Sequence, residues 1–88
     1  MILRVYTVLD KAVQAFMPPM LFRSEGEAVR AFMEAVIQEG TQFNKHKADY
    51  VFCYCGTFND ATGMFFSESP VPIAEAANIV NAMEMKDS

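Results

Sequence analysis

The feature that most constrains the fold is the stretch from Tyr50 to Gly63, which has the pattern of two strands joined by a turn. Tyr50 to Gly56 (YVFCYCG) is a run of β-branched and aromatic residues of strand length that ends in a glycine. Asn59 to Gly63 supplies side chains that bond their own backbone and a glycine that adopts positive φ. Met64 to Phe66 then resumes an extended pattern. A β-hairpin built on a central strand is therefore predicted.

The segment from Ser24 to about Glu39 has the pattern of an amphipathic helix. Ser24 and Glu27 match a capping box, in which each side chain accepts a hydrogen bond from the other residue's backbone N–H. Gly40 stands where a C-terminal cap would end the helix. Apolar residues recur at three- and four-residue spacing at Val29, Phe32, Met33, Val36 and Ile37. We expect the stripe of Val29, Phe32, Met33 and Val36 to pack on the sheet.

The remaining segments complete a small mixed domain. Ile2 to Leu9 alternates as a strand, and Ala15 to Phe22 is an apolar segment split by two prolines, which favours an edge strand or an extended crossing over a proline-rich ligand motif. Ser67 to Pro72 has the composition of a loop. Pro72 is suited to the first turn of a second helix that ends near Met83. The last residues, Lys86 to Ser88, should fray.

The length of 88 residues fits one domain spanning 1–88. The order of elements predicts an α+β fold: a small antiparallel sheet of three to four strands with two helices, the first packed on one sheet face. A chain this short buries a small share of its surface, so we expect a homo-oligomer. No apolar run reaches membrane-span length and no secretory signal opens the chain, which predicts a cytoplasmic protein without membrane contact.

The charge balance limits the classes of partner. Seven basic residues against eleven acidic ones give a formal net charge of −4. Non-specific binding to nucleic acid or anionic membrane depends on Lys and Arg neutralising phosphates, so a nucleic-acid role here requires a local basic patch.

One such patch lies next to the central strand. Aromatic side chains beside a basic edge form a platform on which unpaired bases stack. The candidate DNA-binding residues are Arg23, Arg30, Lys45, His46, Lys47 and Tyr50, with Phe43, Phe52 and Tyr54 as neighbouring aromatics. The alternative is that these aromatics fill the core and that the chain is an interaction module.

Catalytic and metal-binding patterns are weak. His46, Cys53 and Cys55, with Asp49 or Asp60 as a fourth ligand, match no common zinc spacing. A His46 and Cys dyad would need an accessible thiol of low pKa, and strand cysteines are typically inert. We therefore expect no enzyme activity, no metal and no cofactor.

The seven methionines allow two interpretations. Methionine-rich surfaces make adaptable protein contacts, but methionine also fills irregular gaps in a core. The residues concerned are Met17, Met20, Met33, Met64 and Met83. For Met33, which is on the helix stripe, core filling is predicted, and for Met17 and Met20 both interpretations stay open.

Several sequence blocks occur in a characteristic order and spacing. They are Pro18-Pro19, then Arg23-Ser24-x-Gly26-Glu27-Ala28-x-Arg30-Ala31-Phe32, then Gln42-Phe43-Asn44-Lys45-His46-x-x-Asp49-Tyr50, and then Gly56-x-Phe58-Asn59-Asp60-x-x-Gly63. In this order the chain resembles the small nonstructural protein of gokushovirus-type microviruses, which are bacteriophages with single-stranded DNA genomes. The resemblance runs from about Arg4 to Ala77. It departs from the family where Lys47-Ala48-Asp49 replaces Pro-Glu-Asp and where Asn59 replaces an Asp.

The resemblance implies a protein made in the cytoplasm of the infected bacterium. It implies binding to DNA during replication or during the switch to genome packaging, and the basic and aromatic residues named above make single-stranded DNA the expected ligand. The alternative is a homodimeric protein–protein module that recruits a phage or host replication or assembly factor without DNA contact.

Overall fold

The computed structural model describes residues 1–86, with side chains described through Asn81, so that part of the predicted frayed end and the side chain of Met83 lie outside the described residues. Five antiparallel strands form one sheet in the order β2-β1-β4-β5, and β3 also pairs with β1. The strands are β1 (Ile2–Asp10), β2 (Ala15–Phe16), β3 (Met20–Phe22), β4 (Tyr50–Asn59) and β5 (Met64–Glu75).

The N-terminal strand β1 holds the sheet together because it pairs on both sides. Along one edge it pairs with β4 over its whole length, and along the other it pairs with β2 and then with β3. The prolines Pro18 and Pro19 lie between β2 and β3, where they interrupt no ladder bond. In the same segment, the backbone N–H of Met17 donates a hydrogen bond to the carbonyl oxygen of Val8 at 2.8 Å. The predicted proline-split edge strand is therefore correct.

Three helices accompany the sheet. The Ser24 hydroxyl accepts a hydrogen bond from the Glu27 backbone N–H at 3.2 Å, so the predicted N-terminus of the first helix is correct. The connection that follows this helix is itself partly helical. The helices are α1 (Glu25–Ile37), α2 (Gln42–Lys45) and α3 (Ala76–Lys86), and a 3₁₀ turn covers Lys47–Asp49. None of these helices is both long and apolar enough to cross a membrane.

The buried face of α1 differs from the predicted stripe. Its buried residues are Ala28, Phe32 and Val36, at strict four-residue spacing, whereas Met33 and Ile37 are exposed. Residues four apart lie on one side of a helix, so this spacing defines a narrow contact face that leaves Met33 outside it. Core filling by Met33 is therefore wrong.

The predicted loop at Ser67 to Pro72 is also wrong, because β5 continues to Glu75 and α3 begins only at Ala76. Pro70 and Pro72 suit this strand because β5 lies at the edge of the sheet, where a missing backbone N–H breaks no second ladder.

The core lies between one sheet face and the helices. Two stacked aromatic pairs run through it, Tyr6 with Phe52 at 5.1 Å between ring centroids and Phe32 with Phe52 at 4.7 Å. Val8, Ala28, Val36, Tyr50, Ala76 and Val80 complete the buried cluster. The α+β class with α1 on one sheet face is thus confirmed, with one more strand and one more helix than predicted.

A β-bulge at Cys55 bends β4 in the middle of the sheet. Tyr6 pairs with Tyr54 and Val5 pairs with Gly56, so Cys55 has no partner on β1. Gly56 takes φ of 132°, and a Cβ atom built on it would lie 2.0 Å from the Phe66 carbonyl oxygen. This close approach requires glycine.

Candidate nucleic-acid interface

Cross-strand register places one cation and two aromatic rings on the same face of the sheet. Arg4 on β1 pairs with Thr57 on β4, which pairs with Phe66 on β5. Tyr54 pairs with Tyr6, whose side chain lies in the core under the helices. Side chains of residues directly opposite each other in antiparallel strands point to the same side of the sheet. Arg4, Tyr54 and Phe66 therefore lie on the same face as Tyr6, which is the face that the helices cover. Here Arg4 and Tyr54 are half-buried, and Phe66 is 60% exposed.

Arg4 is held in place by aromatic contacts. Its guanidinium carbon lies 4.4 Å from the centre of the Tyr54 ring, and its Nε donates to the Tyr6 hydroxyl at 2.8 Å. That hydrogen bond raises the pKa of Arg4, so the charge is permanent. The nearest carboxylate oxygen, on Glu25, is 3.6 Å from Nη2, which leaves a loose ion pair. We refer to Arg4, Tyr54 and Phe66 as the Arg4 platform.

The sequence prediction included Tyr54 as a neighbouring aromatic but missed Arg4 and Phe66. The available signal was the alternation of β1, which puts Arg4 on the same side of the strand as Tyr6. The other two members lie on strands whose pairing depends on the bulge at Cys55, which no local pattern reveals.

One of the predicted residues lies next to the Arg4 platform. Arg23 directly follows Phe22, the partner of Arg4 in the pairing of β1 with β3. Its side chain is exposed and makes no ion pair with any side chain that the structure describes. Arg23 therefore adds a second cation to this end of the sheet.

Lys45, His46 and Lys47 lie together before the start of β4. Lys45 and His46 are exposed and Lys47 is half-buried, and neither lysine is ion-paired within the described part of the chain. His46 lines a shallow cavity of about 360 Å³ together with Asp10 and Asp49. These carboxylates weaken the attraction of the segment for phosphate.

Arg30 and Tyr50 lie in different surroundings. Arg30 is exposed on α1, where its Nε lies 3.6 Å from a carboxylate oxygen of Glu34 one turn away. Tyr50 is buried and packs edge-on against Phe43 with 4.8 Å between ring centroids. Burial raises the pKa of Tyr50, with a smaller contribution from Asp10. Its ring is a core contact and offers no face to a base.

The outer strand β5 is unusually apolar for an exposed element. Met64, Phe65, Phe66 and Val71 are each about half exposed or more. Phe65 packs on Phe58 with 4.6 Å between ring centroids. This surface is available for a ligand or a partner chain.

A second apolar surface is a cavity of about 260 Å³ between α1 and the segment that joins β2 to β3. Met17, Pro18, Met20 and Phe43 are among the residues that line it. Both methionines are partly exposed, so neither is a fully packed core residue.

The thiols are poorly suited to chemistry. Cys53 is buried and Cys55 is half-buried, and desolvation raises the pKa of both. Within the described residues, no three His, Cys, Asp or Glu side chains are grouped as they would be around a metal ion.

Comparison with known proteins identifies the family of the chain. The sequence model of the family described as Phage ORF5 protein matches residues 3–81. The matched range begins in β1 and ends in α3, so it includes every strand of the sheet. No curated protein and no solved structure matches the chain.

Proposed function

The chain belongs to the Phage ORF5 protein family and is a phage protein, and we propose that it binds single-stranded DNA and performs no catalysis. On the resemblance of its sequence blocks, we assign it to the nonstructural proteins of gokushovirus-type microviruses. It acts in the cytoplasm of the host bacterium, during replication or during the switch to genome packaging.

The Arg4 platform is the observation that supports this proposal. Unpaired bases stack on aromatic rings and on arginine guanidinium planes, and both kinds of surface are present at Phe66 and at the Arg4 and Tyr54 pair. In a duplex the faces of the bases are already stacked, so a platform of this kind favours single strands.

Few cations support phosphate contacts. Arg4 belongs to the platform and Arg23 lies beside it, whereas Lys45 and Lys47 form the separate segment before β4. If all four contact phosphates, the logarithm of the binding constant should fall with the logarithm of the salt concentration with a slope of about −3. Because the net charge is −4, we expect moderate affinity that depends on stacking.

The direct test is fluorescence anisotropy of a labelled single-stranded oligonucleotide, with a duplex of the same sequence as control, at two salt concentrations. We expect preference for the single strand and weaker binding at high salt. No binding at micromolar protein in low salt would refute the proposal.

Matched variants locate the site. Phe66→Leu removes one stacking surface, worth about 1–3 kcal/mol per base, so the dissociation constant should rise by about fivefold or more. Met64→Leu, on the same strand, is the control and should bind as the parent chain does. Lys45→Glu combined with Lys47→Glu tests the contribution of the lysine segment, and unchanged binding would assign all contacts to the Arg4 platform.

The second candidate is a homodimeric module that recruits a phage or host replication or assembly factor without DNA contact. It is favoured by the exposed apolar side chains of β5. Self-association with no DNA binding in the same titration would support this candidate over the first.

A further inference from the structure

The outer edge of β5 has a stretch that is only weakly protected from pairing, and its regular part, Met64 to Ser67, has neither proline nor charge. β5 is the last strand in the order of the sheet, and no other strand among the described residues pairs with its outer side. Proteins commonly protect such edges with proline or charge. Pro70 and Pro72 do so for the second half of the strand. The first half, Met64 to Ser69, contains no proline and only one charged residue, Glu68.

The same half of β5 carries exposed apolar side chains on both faces of the sheet. Phe66 lies on the helix-covered face with Arg4, and Phe65 lies on the opposite face with Phe58. The two rings are 59% and 60% exposed, which corresponds to roughly 240 Å² per copy of the chain. Solvent contact with this much aromatic surface is unfavourable, so the edge favours association.

We propose that two copies of this chain pair antiparallel along Met64 to Ser69 of β5 and form one continuous sheet. Two identical antiparallel strands are related by a two-fold axis perpendicular to the sheet, so both helix-covered faces lie on the same side. The two Phe66 rings then flank the seam, and each is followed across its own sheet by Thr57 and Arg4.

Pairing therefore joins the two Arg4 platforms into one surface. With about 4.8 Å between neighbouring strands, the two β1 strands lie roughly 24 Å apart, with both Phe66 side chains between them. The assignment of this joined surface to DNA rests on the proposed function, whereas the pairing itself does not. A single copy of the chain carries one Arg4 platform, which is half of the joined surface.

The size of the contact predicts its strength. The phenylalanine side chains of both copies contribute at most roughly 480 Å², and Met64 and the backbone edge add to this, against about 1,200–2,000 Å² for stable complexes. We expect a dimer that dissociates on dilution and that DNA spanning both platforms strengthens, because the two binding events are linked.

Sedimentation velocity over about two decades of micromolar concentration, without DNA, tests the pairing. The informative variant is Phe65→Lys, which puts a charge on the seam but on the face opposite the Arg4 platform. Val13→Lys is the matched control, because Val13 is 68% exposed in the turn between β1 and β2 and gains the same charge. We expect Phe65→Lys to weaken self-association by about tenfold or more and Val13→Lys to leave it within about twofold.

Hydrogen exchange of the unmodified chain provides a second test that depends on no variant. Amides between Met64 and Ser69 should gain protection as protein concentration rises. A monomer at every concentration, or equal weakening by both lysine variants, would overturn the pairing. A monomer that binds single-stranded DNA would overturn the pairing and leave the proposed function standing. A dimer that does not bind DNA would refute the proposed function and leave the pairing standing.

Discussion

Replacement of Gly56 by alanine is the most informative single change for the fold. Gly56 lies in the β4 bulge with φ of 132°, and a Cβ there would lie 2.0 Å from the carbonyl oxygen of Phe66 and 3.2 Å from the Cα of Ser67. The obstacles are backbone atoms of the neighbouring strand. They can move only if β5 shifts away from β4.

The expected loss has two parts. A non-glycine residue in this region of φ costs about 1–3 kcal/mol, and forcing an extra carbon against a packed neighbour costs another 1–3 kcal/mol or so. The sum of about 2–6 kcal/mol is a large part of the free energy of unfolding of a small domain, about 5–15 kcal/mol. At roughly 4–8 °C per kcal/mol, Gly56→Ala should lower the melting temperature by at least about 8 °C.

Two other glycines provide matched controls in urea unfolding followed by circular dichroism. Gly63 has φ of 77° and nothing within 4 Å of a built Cβ, so Gly63→Ala should cost only about 1–2 kcal/mol of backbone strain. Gly26 is in the first turn of α1 with its nearest atom at 4.0 Å, so Gly26→Ala should stabilise by up to about 1 kcal/mol. If Gly56→Ala loses no more than Gly63→Ala, the close approach of β5 at the bulge is refuted.

Four further outcomes are expected. Ser24→Ala removes the hydroxyl that caps α1 and should lower the free energy of unfolding by about 1 kcal/mol in urea titration, and no loss would mean that the cap is not formed. Asn44→Ala removes the 2.9 Å hydrogen bond from its side-chain amide to the Val36 carbonyl and should cost about 1 kcal/mol, with the thermal midpoint as readout. A thiol reagent should modify half-buried Cys55 before buried Cys53, and the reverse order would contradict the placement of the two side chains. Because both thiol pKa values are raised on folding, the free energy of unfolding should show no thiol-linked change below about pH 8 and should fall as pH rises through the thiol range.

Elements with local chemistry were predictable from the sequence. The start of α1 follows from the Ser24 hydroxyl, which caps the backbone N–H of Glu27. The β4–β5 turn follows from Asn59 and Gly63, because the backbone N–H of Gly63 donates a hydrogen bond to the Asn59 carbonyl oxygen at 2.7 Å. In both places the residues that determine the structure are adjacent in the chain, so no distant contact overrides them.

Elements determined by distant contacts were not predictable. Pro72 suits a helix start, but pairing of Cys53 with Pro72 extends β5 past it. Tyr50 is aromatic and follows a basic segment, but Phe43 packs against it from α2 and buries it. In each case a residue with two acceptable local environments adopts the one selected by a partner far away in sequence.

The candidate site shows the same dependence most strongly, because its members come from three strands. Arg4 contacts Tyr54 only because the bulge at Cys55 sets the register of β4, and Phe66 joins them only through its pairing with Thr57. The acidic balance of the chain is compatible with such a site. Repulsion between the chain and a polyanion is stronger for a duplex, which carries about twice the charge per unit length of a single strand, and stacking adds to the preference for the single strand. A chain with a net charge of −4 that binds DNA by this surface should therefore discriminate single strands more sharply than a basic protein with the same platform.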